Sequence, residues 1–125
     1  MIRSDTNMKR DMDLVRAILL TIEGEPRGFA PEIEISGYTQ EQINYHAILL
    51  GEAGLAKVFD MTAHGDKSPQ AKITQLTWAG YEFLDSAREN KRWNQAKDLI
   101  GKVGGASIQI WMVLLSDLIR KNLGL

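Results

Sequence analysis

From Met8 onward, apolar residues recur at Met8, Met12, Val15, Ile18, Leu19 and Ile22. Offsets of 0, 4, 7, 10, 11 and 14 trace one stripe of a helix. Lys9 and Asp13 lie off the stripe as an i, i+4 pair. Gly24 and Pro26 stop the helix. Residues 32–36 then alternate as Glu-Ile-Glu-Ile-Ser, which predicts a short edge strand or an extended crossing segment. Thr39-Gln40-Glu41-Gln42 has the form of a capping box and opens a second helix running to about Ala53. Gly54 is placed to end it in a left-handed conformation before Leu55.

Leu55–Thr62 and Ala71–Leu76 are β-capable runs around a polar loop, 63–70, rich in turn residues. Together they predict a β-hairpin. Thr77 caps the next helix, to which Trp78, Tyr81, Phe83 and Leu84 bring apolar contacts. That helix is expected to end near Asn90, and a mixed-charge helix follows over 92–103. Gly104 and Gly105 form a joint before a final helix over 106–123. Ile108, Met112, Leu115 and Ile119 are its expected core stripe, while Trp111, Val113 and Leu114 spread apolar surface beyond one face. The run Ile110–Leu115 turns through about 500°, so a second copy of the chain is expected to cover the remainder as a homodimer. Ala106 to Ile119 spans only about 21 Å, too short for a bilayer core, so no membrane partner is expected.

The 125 residues suit one compact domain with an appended element: a polar, flexible N-terminus at 1–7, a folded core over 8–90 and a helical extension over 91–125. Met8 is an alternative start, because the helical pattern begins there. A 44% hydrophobic share argues against global disorder. Without cysteine there is no disulfide scaffold and no thiolate chemistry. No secretory pattern is visible, which leads to the expectation of a cytoplasmic protein. The net charge of −1 is unlike that of a protein that coats nucleic acid indiscriminately. It conceals a polarity, however: residues 1–62 carry six basic and ten acidic side chains, and residues 63–125 carry nine and six. An anionic partner would therefore meet the second half of the chain.

The most informative feature is the order of elements: helix, short strand, helix, β-hairpin, helix. Within it, Glu52-Ala53-Gly54-Leu55 precedes the hairpin and Leu76-Thr77-Trp78-Ala79-Gly80-Tyr81-Glu82-Phe83-Leu84 follows it. This resembles a winged-helix domain, an α+β fold in which the hairpin is the wing. Three blocks narrow the resemblance: Met8–Arg16, Tyr45-His46 with Leu49–Leu55, and Leu76–Asp85. Over roughly 8–103 the chain resembles the bacterial and prophage domain-of-unknown-function family 2513. The resemblance implies a winged-helix-like protein of cytoplasmic, phage-derived origin and transfers no catalytic residue. One departure stands out: a single helix separates the first helix from the hairpin, where a helix-turn-helix has two.

On a helical wheel, Ile43, His46, Ala47, Leu50 and Ala53 share the inner arc, and Glu41, Asn44, Tyr45, Ile48 and Glu52 face outward. Asn44 and Gln42 suit base edges, but Glu41 and Glu52 would repel phosphates. Tyr45 and Ile48 suit a protein contact, as do Trp111 and Leu114 of the last helix, or they pack within the chain. The candidate nucleic-acid contacts are Lys67 and Lys72 of the wing and Arg88, Lys91, Arg92 and Lys97 of the basic stretch 88–102. Lys57 and His64 also lie in the wing, against Asp60 and Asp66. Trp93, spaced with Ala96 and Ile100, reads as a core anchor. His46 reads as a satisfied core histidine, and His64-Gly65-Asp66 supplies too few ligands for a metal site. No catalytic centre, metal or cofactor is expected. The sequence thus predicts a small non-enzymatic regulator that contacts nucleic acid through wing and basic stretch. The alternative is a phage-type adaptor or inhibitor that binds a host or phage protein.

Overall fold

The computed structural model describes residues 9–26 and 32–125. The expected flexible N-terminus, 1–7, and the position of Met8 lie outside them. The fold is α+β, with five helices and one two-stranded antiparallel sheet among the described residues. In chain order these are α1 (Met12–Glu23), α2 (Gln40–Glu52), β1 (Ala56–Asp60), β2 (Ala71–Leu76), α3 (Trp78–Ala87), α4 (Asn90–Gly101) and α5 (Ile108–Asn122). Two compact units result, Met1–Tyr81 and Glu82–Leu125, divided within α3.

In the first unit, Asp11 caps α1, its Oδ1 accepting from the N–H groups of Asp13 and Leu14 at 2.9 and 3.2 Å. Leu14, Val15, Ile18, Leu19 and Ile22 form the buried face. The alternation at 32–36 survives as burial, with Ile33 inside and Glu32 and Glu34 away from the core. The short strand does not form, because among the described residues the sheet contains only β1 and β2. Burial of Ile33 orients this segment without a ladder of backbone bonds. The capping box of α2 is present as the sequence predicts: Thr39 Oγ1 accepts from the Gln42 N–H at 3.1 Å, and Gln42 Oε1 accepts from the Thr39 N–H at 2.9 Å. α1 and α2 pack on each other and against β2, and α2 also lies under β1.

The end of α2 is joined to the start of α3. Gly54 takes φ +75°, the Gly54 N–H donates to Gly51 O, and the Leu55 N–H donates to Leu50 O. This is a Schellman closure with Leu50 and Leu55 both buried. The Leu55 carbonyl then accepts from the Thr77 N–H at 3.1 Å. Thr77 caps α3 by accepting from the Gly80 N–H at 3.0 Å, while its hydroxyl donates to Gly54 O. A Cβ on Gly80 would lie 2.0 Å from Leu55 O, so only glycine admits this approach. The two sequence steps that flank the hairpin are therefore halves of one joint.

A second tie holds α1 to α2. His46 is buried, and both its ring nitrogens are used. Nε2 accepts from the Asp11 N–H at 2.8 Å, and Nδ1 lies 2.8 Å from Gln42 O. That pair of contacts requires a neutral ring with its proton on Nδ1. Asp11 Oδ2 accepts from the Tyr38 hydroxyl at 2.9 Å. Burial holds the His46 pKa below its ordinary value, opposed by the bond to Gln42 and the charge of Asp11.

The second unit is built on aromatic rings. Phe83 meets Trp93 edge-on at 6.3 Å, and Trp93 stacks on Trp111 at 4.5 Å and 24°. Leu84, Ala96, Ile100 and Leu115 complete the buried set, and α4 packs on α5. Trp93 is thus the expected core anchor. The α5 stripe is displaced from expectation: Trp111 and Leu115 are buried, whereas Met112 and Ile119 are half-buried. Ile108, the first residue of the stripe, is half-buried as well. Stacking on Trp93 draws Trp111 inward. Trp78 and Tyr81, expected to contribute apolar contacts to α3, are exposed.

Both ties can be tested by mutation. Gly80→Ala is expected to cost about 3 kcal/mol or more, lowering Tm by about 10 °C, because backbone must move to admit the methyl group. Gly101→Ala, facing open space at the end of α4, should leave Tm undiminished. Circular dichroism melting distinguishes them. The histidine tie is tested by pH. Below the ordinary histidine value of 6.5 the unfolded chain takes up a proton that the folded chain resists. Stability is therefore complete above that value and declines as pH falls towards the lower folded value. His46→Gln should flatten the decline in Tm between about pH 7 and 5; an equally steep decline in that variant would assign it to other groups.

Candidate nucleic-acid interface

The hairpin has two chemically different faces, set by the two-residue period of a strand. On β1, Ala56 and Val58 turn towards α2, where Gly51 leaves room for Val58: a Cβ there would lie 3.2 Å from it. Lys57 and Phe59 are exposed on the opposite side, and Met61, just beyond the strand, is exposed at the border of a cleft against α2. On β2, Ile73 and Leu76 are buried while Lys72 and Gln75 face out. The register pairs Lys57 with Gln75 and Phe59 with Lys72, and the Met61 N–H donates to Gln70 O at 2.7 Å. Three successive exposed pairs follow along the hairpin, Lys57–Gln75, Phe59–Lys72 and Met61–Gln70, of which Lys72, Met61 and Gln70 also border the cleft against α2. All six residues are exposed, Phe59 by 66% and Met61 by 61%. Two are cations and none is a carboxylate.

The register slips by one residue between Lys57 and Val58, leaving Thr74 without an opposite residue. Its hydroxyl donates to Lys57 O at 3.2 Å. Such a bulge sharpens the twist of the ribbon. The loop beyond is folded by its own side chains. Asp60 Oδ1 accepts from the Thr62 N–H at 3.0 Å, and Asp66 Oδ2 accepts from the Ala63 N–H at 2.6 Å. The hydroxyl and N–H of Thr62 hold the Asp60 carboxyl below its ordinary range. Gln70 N–H donates to Thr62 Oγ1 at 2.9 Å. Asp60 and Asp66 thus both shape the loop, and Lys67 is exposed within it.

Asn44 ties the hairpin loop to α2. It is buried, its Nδ2 donates to Pro69 O at 3.1 Å, and its Oδ1 accepts from Gln40 Nε2 at 2.9 Å. The wheel places Asn44 outward as a reader of bases; the structure places it beneath the loop, and Gln42 is spent on the capping box. α2 is therefore a support for the hairpin. Tyr45 and Ile48 are half-buried, with the Tyr45 ring edge-on to His46 at 6.0 Å. Beside the hairpin lies a cleft of about 280 Å³. Ile33, Ile43, Ala47 and Ile73 form its apolar lining, and Met61, Gln70 and Lys72 of the hairpin border it together with Glu32.

The basic stretch divides. Arg92 Nε donates to Ser86 O at 2.8 Å, and its guanidinium also reaches Asp85 O and Glu89. The side chain is mostly buried against the end of α3, where a cation satisfies terminal carbonyls, so Arg92 is a structural residue. Arg88 is paired with Asp85 at 2.8 Å. Lys91 and Lys97 are exposed, but six residues apart they point to different sides of α4. On α5, Trp111 is packed inside its own unit and leaves the set of surface contacts. Leu114 is half-buried, and Ile110 and Val113 are the large apolar residues that α5 exposes. Among the described residues there is no group of three or more His, Asp or Glu placed to hold a metal ion, and no helix long and apolar enough to cross a membrane.

Phe59, Met61, Gln70 and Gln75 escape a reading of sequence alone. The usable signal is the shared parity of Lys57, Phe59 and Met61 against buried Ala56 and half-buried Val58.

The profile of a family described as "Hypothetical protein (DUF2513)" matches residues 9–107. A Haemophilus influenzae protein described as "Uncharacterized protein" is 39% identical over 95 residues, which cover 74% of this chain and 79% of the relative. No solved structure matches.

Proposed function

The chain belongs to the DUF2513 family, and from its own residues we propose that it is a small, non-enzymatic, winged-helix-like regulator that contacts nucleic acid through its hairpin. The supporting observation is the exposed strip of the hairpin, where Lys57 and Lys72 flank Phe59 and Lys67 stands in the adjoining loop; the nearest acid on the cleft side is Glu32, which lines the same cleft as Lys72. Phosphate contacts supply affinity, and exposed amides such as Gln70 and Gln75 carry donors and acceptors for base edges. The order of helices around a hairpin supports the winged-helix likeness. A cytoplasmic, prophage-derived protein suits this role. The basic stretch contributes Lys91 and Lys97 at most as auxiliary charges.

Exposure of Ile110 and Val113 on one side of α5 favours a second reading, in which this surface takes a protein partner or a second copy of the chain. Light scattering over a dilution series is expected to show a dimer that Val113→Glu dissociates; a monomer at every concentration removes the homodimer.

For the nucleic-acid reading, fluorescence anisotropy at low salt is expected to detect binding that weakens steeply as salt rises. Lys57→Glu with Lys72→Glu should reduce the slope of log affinity against log salt by about 2, roughly one for each phosphate that a lysine no longer neutralises. Lys91→Glu with Lys97→Glu should do less. Equal effects from the two pairs would remove the hairpin from the interface.

A further inference from the structure

We infer that the hairpin's ligand is single-stranded nucleic acid, taken by stacking an unpaired base on Phe59; this rests on the hairpin reading above. The key is what Phe59 offers. The residue is 66% exposed at the penultimate position of β1, next to Val58, which packs against Gly51 of α2. Exposure of so large an apolar side chain is a standing cost to the fold, because water is a worse neighbour for it than the core. The inner position was open to an apolar residue and is filled by Val58. Phe59 is therefore surplus to the core of its own unit.

Its neighbours specify the ligand. Lys72 stands directly opposite across the ladder, and Lys57 is two residues along on the same face. A protein partner's apolar surface would leave these ammonium groups to be desolvated. A nucleic acid satisfies ring and cations together, with phosphates meeting the lysines and a base lying on the ring. Met61, two residues further on and exposed at the border of the cleft, adds a polarizable thioether suited to an aromatic neighbour. The amides of Gln70 and Gln75 flank the strip at either end.

Duplex and single strand differ in what they present to such a surface. In a duplex each base face is covered by its neighbours in the stack, and the grooves expose only edges. Phe59 has no edge-reading group. An unpaired base exposes its face, and aromatic–base stacking tolerates any sequence. α2 offers no competing duplex site: its outward side carries Glu52, while Asn44 and Gln42 are occupied within the fold.

The test uses the full chain with a labelled oligothymidylate and a labelled duplex of the same length, followed by anisotropy at low salt. The single strand should bind more tightly. Phe59→Ala should weaken single-strand binding about tenfold or more and leave duplex binding nearly unchanged. Phe59→Trp should retain single-strand affinity. Since Phe59 is exposed, unchanged circular dichroism will confirm that the variants fold. Equal or tighter binding of the duplex, or a Phe59→Ala variant that binds the single strand as well as the parent, overturns the single-strand inference. If Lys57→Glu with Lys72→Glu still weakens binding, the hairpin reading survives that result. Absence of binding to either form at low salt overturns both and assigns the face to another class of macromolecule.

Discussion

The carbonyl oxygen of Leu55 is the point on which the first unit turns. It accepts the Thr77 N–H and rests against the Cα of Gly80, so the chain leaving the hairpin must pass beside the chain entering it. The Leu55 N–H meanwhile completes the closure of α2. Thr77 adds a second bridge, joining Gly54 O to the first turn of α3 through one hydroxyl. Two helix termini and both ends of a hairpin are thereby satisfied by a few backbone groups. A buried terminus without such partners would leave polar groups uncompensated at a cost of about 1–3 kcal/mol each.

With its base fixed, the hairpin needs little else to hold it. Val58 seats on Gly51, Ile73 and Leu76 enter the core, and Asn44 holds the far end through Pro69 O. All of these restraints act on the inner face or the loop. The side chains of the outer face carry none of the load, which is why they are open to selection for something other than folding. A two-stranded ribbon is marginal alone; here α2 supplies the support that a third strand would otherwise give.

Local chemistry is legible in the sequence, and long-range choice is not. The Thr39–Gln42 box, the Gly54 terminator and the Thr77 cap are read within a few residues, and each forms. The 32–36 segment shows why alternation is insufficient: its burial pattern appears, but a strand needs an edge to pair with, and the sequence does not say whether one is free. Arg92 reads as a surface cation because nothing in its neighbourhood reveals that the chain turns at 88–89 and sets it under the carbonyls of α3. Asn44 sits at the border of two arcs, and only the return of Pro69 decides its side. In the continuous apolar run of α5, the inward residue is chosen by Trp93, on another helix. The hairpin's outer face is half legible, as two lysines; its aromatic centre emerges only when the register puts Phe59 opposite Lys72.

The three tryptophans divide between contrasting environments. Trp78, in the first unit, is 81% exposed, whereas Trp93 and Trp111 form a buried stacked pair in the second. Indoles held face to face couple their electronic transitions, and they do so only while both helices keep their places. Near-ultraviolet dichroism of that pair therefore reports the integrity of the second unit, while the water-exposed emission of Trp78 reports its own solvent shell. The chain carries an intrinsic optical label for its C-terminal half, against which loss of structure elsewhere can be timed without any dye.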